Sequence, residues 1–177
     1  RGLKAKEYLL KRGLNEESLQ LFKVGFVPEG SSYLFDSIKS KNYDKEIIEK
    51  SGLFGFSGSK TYDRFRSRIM FPISNTAGKI IAFGGRIFEK DDPAKYMNSP
   101  ETPLYKKSEI FYGLDITRDA IRKKESAILV EGYTDLIQLY QAGIKNVVAV
   151  SGTAFTNKHV NQIRRFTSKI YLCYDGD

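Results

Sequence analysis

The sequence predicts an α/β protein in two parts: a basic α+β region over residues 1–107 and a parallel-sheet region over residues 108–177. Three observations predict it. From Tyr62 the apolar residues recur with a period of two, as on a half-buried strand. From Ser108 short apolar runs alternate with amphipathic stretches. Those runs are apolar on both faces, which implies a parallel sheet covered by helices on two sides.

The N-terminal region opens with small helices. "LKAKEYLLKRGL" carries Leu3, Leu9, Leu10 and Leu14 at helical spacing, with Gly13 as a stop. "NEESLQLFKVGF" follows, with Asn15 as N-cap and glutamates in the first turn. "SSYLFDSIKS" and "DKEIIEKSGLF" predict two more short helices. In "RFRSRIMFPI", Phe65, Ile69, Phe71 and Ile73 share one strand face, and Arg64, Arg66 and Arg68 share the other. "SNTAGK" predicts a turn and "IIAFGGR" a return strand. "DDPAKYMNSPETPLYKK" has three prolines and no period, so it predicts a long loop, a kind of segment that often carries function. The second region reads as strand "AILVEG", helix "TDLIQLYQAG", strand "NVVAVSG", helix "TNKHVNQIRRF" and strand "KIYLCYDGD".

A chain of 177 residues is long enough to bury roughly two-thirds of its unfolded surface. No apolar run approaches the ~18 residues that span a bilayer. The opening "RGLKAKEYLLKRG" lacks an apolar signal core. These features predict a cytoplasmic protein without membrane contact. One cysteine, Cys173, and one histidine, His159, allow neither an internal disulfide nor a Cys/His zinc site. The net charge is +8, and residues 60–107 hold ten Lys/Arg against five Asp/Glu. The acids there include a cluster of Glu89, Asp91 and Asp92; the rest is a basic strip suited to a phosphate-bearing partner.

Two apolar strands end on acids. "AILVEG" stops at Glu131, and "KIYLCYDGD" runs into Asp175 and Asp177. Ligands of open parallel sheets collect beyond the carboxyl ends of the strands. Parallel strands would therefore bring these three carboxylates to one edge. Carboxylates without basic partners repel, and a hard divalent cation relieves the repulsion, Mg²⁺ together with waters and phosphate oxygens. Gly132 and Gly176 give the backbone room to turn beside the acids, and Asp135 follows one helical turn after Glu131. The alternative is ordinary turn chemistry at "DGD" and a helix N-terminal charge at Asp135.

Arg64, Arg66 and Arg68 on one strand face would track a phosphate backbone, or form a solvated face. The glycines of "FGGR" would let a ligand approach the backbone beside Arg86. Lys95, Lys106 and Lys107 alternate with Tyr96 and Tyr105, a pattern that suits base stacking beside phosphate contacts or packing on the core.

Taken in order, "YDRFRSRIMFPI", "IAFGGR", "KYMNSPETPLYKK", "FYGL", "VEGYTDLIQLYQAGIKNVVAVSGTAFT" and "CYDGD" resemble the bacterial DnaG-type primases from Tyr62 to Asp177. "EGYTD" and "DGD" alone resemble the wider TOPRIM class, whose sheet is parallel and Rossmann-like; the other motifs point to primase. The resemblance implies the RNA polymerase core, a basic subdomain followed by a TOPRIM subdomain cut after "DGD". It implies Mg²⁺ or Mn²⁺ at Glu131, Asp175 and Asp177, with Asp135 in support. It implies nucleotide and template contacts from Arg64, Arg66, Arg68, Arg86, Lys95, Tyr96, Asn98 and Lys107, the last preferred to Lys106 for its distance from Lys95. The implied partners are a single-stranded DNA template, ribonucleoside triphosphates and the RNA primer. A replicative helicase would dock only through a C-terminal domain outside this chain, and the family's zinc domain also lies outside it. Another TOPRIM enzyme such as a nuclease, or a non-catalytic single-stranded DNA-binding module, are the alternatives.

Overall fold

The computed structural model describes residues 2–30, 32–88, 95–150, 152, 154–174 and 176. The chain begins with α1 (Gly2–Lys11), which ends at Gly13 in the left-handed region with φ +87°. α2 (Glu16–Leu21) is capped as the sequence predicts: Asn15 Oδ1 accepts from Ser18 N at 2.8 Å. β1 (Gly25–Val27), α3 (Tyr33–Lys39) and α4 (Lys45–Lys50) follow. A hairpin of β2 (Phe54–Ser57) and β3 (Lys60–Asp63) comes next. Buried Asp63 accepts from Leu34 N at 2.7 Å and Phe35 N at 2.9 Å, so a residue of the hairpin caps α3 from outside the helix.

β4 (Arg68–Ser74) and β5 (Ile80–Arg86) form the centre of an antiparallel sheet in the order β1-β4-β5-β6. Its edge, β6 (Tyr96–Asn98), lies inside the stretch predicted as loop. Three residues flanked by prolines show no period, yet Gly84↔Asn98 and Arg86↔Tyr96 pair across the edge. The predicted arginine-bearing strand face is also corrected. Ser67 adopts φ +51°, which breaks the alternation, and the strand starts only at Arg68. Arg64 and Arg66 precede it. Arg68 is 5% exposed, and its stem lies over Gly85, where an added Cβ would meet Cδ at 3.0 Å.

A short 3₁₀ turn (Lys107–Glu109) leads to α5 (Leu114–Lys124), a helix the sequence reading passed over. Then come β7 (Ala127–Val130), α6 (Tyr133–Gln141), β8 (Val147–Ala149), α7 (Asn157–Ile163) and β9 (Ile170–Leu172). β7 lies between β8 and β9 and is parallel to both, as the apolar strands predict. α7 is fixed by its cap. Thr156 Oγ1 accepts from His159 N at 3.2 Å and donates to Ser108 O at 2.6 Å. Thr156 N donates to His159 Nδ1 at 3.3 Å, leaving Nε2 to donate to Ile110 O, also at 3.3 Å. This is a neutral imidazole, and burial holds its pKa below the ordinary histidine value.

One apolar core continues through both parts. It joins Leu9, Leu14 and Phe22 to Ile69, Phe71 and Ile73 of β4, and to Val130, Tyr133, Leu136 and Val147. Two α6 glutamines tie the N-terminus to it: Gln138 Nε2 donates to Arg12 O at 2.8 Å, and Asn15 N donates to Gln141 Oε1 at 3.0 Å. A second cluster, with Leu129, Val148, Ile121 and Ile163, fills the other face of the parallel sheet. Among the described residues, no helix is long and apolar enough to cross a membrane.

Candidate functional site

Glu131 immediately follows β7, at the carboxyl end of the central parallel strand. It is exposed, and no described residue gives its carboxylate a hydrogen bond or an ion pair. The register Leu129↔Leu172, with Cys173 N donating to Leu129 O at 2.8 Å, carries the end of β9 alongside it. The electrostatics agree. Partial burial raises the pKa of the Tyr174 phenol, and the charge of Glu131 raises it further. Asp175 and Asp177, the other two expected carboxylates, lie outside the described residues, as do Glu89, Asp91 and Asp92. Among the described residues no three metal-ligating side chains form a cluster. What the described part offers a hard cation is one uncommitted carboxylate, and that donor chemistry fits.

Asp135 is committed locally. Its Oδ2 accepts from Gly132 N at 3.1 Å, so it caps the helix it belongs to. Gly132 also has a different reason from the one its sequence position suggests. Its backbone is extended (φ −117°, ψ 163°), so no special turn is needed. A Cβ there would come within 2.7 Å of Asp135 Oδ2, so the glycine makes room for the capping carboxylate.

The basic strip divides in the same way. Arg66 is exposed and stacks over Tyr62, its guanidinium carbon 5.4 Å from the ring centroid. Arg64 is half-buried, with Nε buried and unpaired among the described residues. Arg86 is only 2% exposed and lies between Tyr8 and Tyr96, 5.4 and 5.2 Å from their ring centroids. Its Nε and Nη1 have no hydrogen-bond partner among the described residues. The two glycines before it do not open the backbone to a ligand: Gly84 faces the ring of Tyr133, and Gly85 faces Phe65 and Arg68.

Lys95, immediately before the edge strand, and Tyr96, its first residue, are both exposed. Lys107 is half-buried, and its backbone N–H donates to Glu101 Oε1 at 2.8 Å. Lys106 is exposed beside Glu109. Tyr105 packs in the core at 1% exposure, and burial pushes its pKa up to about 12, so it is no stacking platform.

The residue sequence reasoning missed is Tyr133, which stands inside "EGYTD" directly after Gly132. It is 3% exposed and stacks on Phe71 at 5.0 Å and 10°. Tyr112 meets it edge-on at 4.7 Å. Its hydroxyl donates to Asn98 Oδ1 at 2.6 Å. The acidic turn and the edge strand with Lys95, Tyr96 and Asn98 are thus brought together through one side chain. No local signal could have found it, because Tyr133 opens α6 and its ring partners Phe71, Asn98 and Tyr112 are distant in sequence.

Comparison with known proteins agrees with this architecture. The family model of the DNA primase catalytic core, N-terminal domain, matches residues 1–118, and that of the Toprim domain matches residues 125–177. A DNA primase of Listeria monocytogenes is 41% identical over 177 residues, covering 99% of this chain and 28% of the relative. One from Staphylococcus aureus is 41% identical over 178 residues, covering 99% and 30%. The chain thus spans under a third of these curated relatives.

Among solved structures, the RNA polymerase domain of Mycobacterium tuberculosis primase DnaG superposes with a TM-score of 0.90 at 36% identity, covering 98% of this chain and 59% of that one. A DnaG primase catalytic domain bound to single-stranded DNA gives 0.88 at 38% identity, covering 98% and 54%. With one model matching two-thirds of its length and the parallel sheet matching the other, the chain belongs to the DNA primase catalytic core family.

Proposed function

We propose that this chain is part of a DNA-dependent RNA polymerase core, one that makes short RNA primers on single-stranded DNA from ribonucleoside triphosphates. The observation that carries the reading is Glu131: an exposed carboxylate without a partner among the described residues, at the carboxyl end of the central parallel strand. Asp175 and Asp177 complete the proposed acidic set, with Asp135 shaping the turn. Mg²⁺ or Mn²⁺ is the proposed cofactor, and no zinc site is proposed here. We place the division between the basic subdomain and the Toprim subdomain after Lys107.

Bound at these carboxylates, the divalent ion would neutralise charge on the attacking and leaving oxygens of an in-line phosphoryl transfer. The chain's own residues do the rest. Glu131 supplies a hard oxygen donor at the sheet edge. Lys95 and Arg66, both exposed, draw phosphate oxygens by charge. Tyr96, 45% exposed, offers a ring face for a base. Arg86 gives up its place between two tyrosines to reach a triphosphate, and its two unpaired donors favour that exchange. Arg64, Arg68, Asn98 and Lys107 line the same proposed nucleotide and template path. The family relationship supports a template partner, because one relative was solved with single-stranded DNA. A replicative helicase would be engaged by another part of the protein, in the cytoplasm and away from membranes.

The test is labelled ribonucleotide incorporation on single-stranded DNA by the full-length protein, with Mg²⁺, with Mn²⁺ and with chelator. Metal-dependent RNA supports the reading. DNA binding without RNA under either metal overturns it in favour of a binding module.

A further inference from the structure

The acidic turn and the edge strand are separate in sequence, and a polymerase site needs them at a fixed spacing. Tyr133 is built to set it. Its backbone is two residues from Glu131, at the first position of α6. Its ring reaches from the start of α6 onto the antiparallel sheet, stacked on Phe71 and met edge-on by Tyr112. Gly84 of β5 leaves the space: a Cβ there would sit 2.4 Å from ring carbons Cε2 and Cζ. A ring held on these sides does not swing, so its hydroxyl has a fixed position.

That hydroxyl meets Asn98 Oδ1 at 2.6 Å. A phenol donating to the carboxamide oxygen settles which way the amide faces. Nδ2 is then turned toward Gly152, three residues beyond the carboxyl end of β8, where an added Cβ would lie 3.7 Å from it. The amide donor thus points to the same edge of the parallel sheet on which Glu131 stands. Asn98 is thereby held at a fixed place beside exposed Lys95 and Tyr96, two residues suited to phosphate and base contacts.

We propose that Tyr133 is a positioning residue for nucleotide binding: it orients the Asn98 carboxamide and holds the edge strand at a set distance from Glu131. The inference rests on the polymerase reading above. Tyr133→Phe separates the two parts of its role, because it keeps the stack on Phe71 and removes only the hydroxyl.

The experiment uses the full-length protein as wild type, Tyr133→Phe, Asn98→Ala and the double variant. It measures the binding of a fluorescent ribonucleoside triphosphate, KM and kcat for RNA synthesis, and Tm. Loss of one well-formed hydrogen bond predicts nucleotide affinity about five-fold weaker in Tyr133→Phe, with KM raised to match and kcat within about two-fold. The double variant should bind no worse than Asn98→Ala alone, because the two residues act as one unit.

Wild-type affinity and KM in Tyr133→Phe overturn the inference. So does an effect that adds in full to that of Asn98→Ala, and so does a lowered Tm with nucleotide binding intact. A wild-type protein that makes no RNA with either metal removes the polymerase reading, and the inference falls with it.

Discussion

Gly84→Ala tests the contact on which the two sheets depend. The added Cβ would stand 2.4 Å from Cε2 and Cζ of Tyr133 and 2.5 Å from its hydroxyl oxygen. Relief by moving the ring is blocked, since Phe71 stacks on it at 5.0 Å and Tyr112 meets its edge at 4.7 Å. Overpacking of this kind costs about 1–3 kcal/mol. Replacing glycine restrains the unfolded chain and returns about 0.4–1 kcal/mol. A displaced hydroxyl would also lose its bond to Asn98, about 1 kcal/mol. The sum is a net loss of about 2 kcal/mol, which for a chain of this length lowers Tm by roughly 4–8 °C. Thermal unfolding followed by circular dichroism reads it directly. In a Tyr133→Leu background the same substitution should cost much less, because the ring it strikes is gone. Gly84→Ala melting at the wild-type temperature, or costing as much without the tyrosine ring as with it, would refute the reasoning.

Two further predictions concern buried charge. Arg86→Met removes two buried donors without hydrogen-bond partners, each costing about 1–3 kcal/mol, and two cation–π contacts of about 0.5–2 kcal/mol each. These terms offset, so Tm should stay within roughly 4 °C of wild type while ribonucleotide binding, measured by fluorescence titration, weakens. His159 is buried neutral, with its folded pKa below the unfolded value of 6.5. Between those values the unfolded chain binds the proton more readily, so stability is full above about pH 6.5 and declines as pH falls below it. Protonation of Nδ1 would remove the acceptor for Thr156 N and loosen α7, next to the Lys158–Glu109 ion pair at 2.6 Å. Tm measured at pH 7.5 and 5.5 should fall for wild type and fall less for His159→Asn.

Much of the fold was legible because local chemistry and global packing agree. Asn15 caps where it should, Gly13 stops α1, and the apolar runs "AILV" and "VVA" pair in parallel. Patterns failed where a single residue overrides a period. Ser67 in the left-handed region turned an expected row of three arginines into one buried arginine and two outside the strand. β6 was hidden because three residues between prolines carry no period. At the site, the sequence marked Glu131 by a mismatch between residue type and place. It did not mark Tyr133, because the partners of its ring, Phe71, Gly84, Asn98 and Tyr112, are scattered over about 40 positions. Only the packed structure brings them together.

Primer synthesis by this core requires a cation held at the carboxyl edge of the parallel sheet through Glu131. Mn²⁺ binding followed by electron paramagnetic resonance, on the full-length protein and its Glu131→Gln variant, tests this most directly. The amide keeps the size of the side chain and removes the charge. Mn²⁺ binding should be about ten-fold weaker or worse in the variant, with RNA synthesis lost and Tm unchanged. Wild-type Mn²⁺ affinity and RNA synthesis in Glu131→Gln would contradict it.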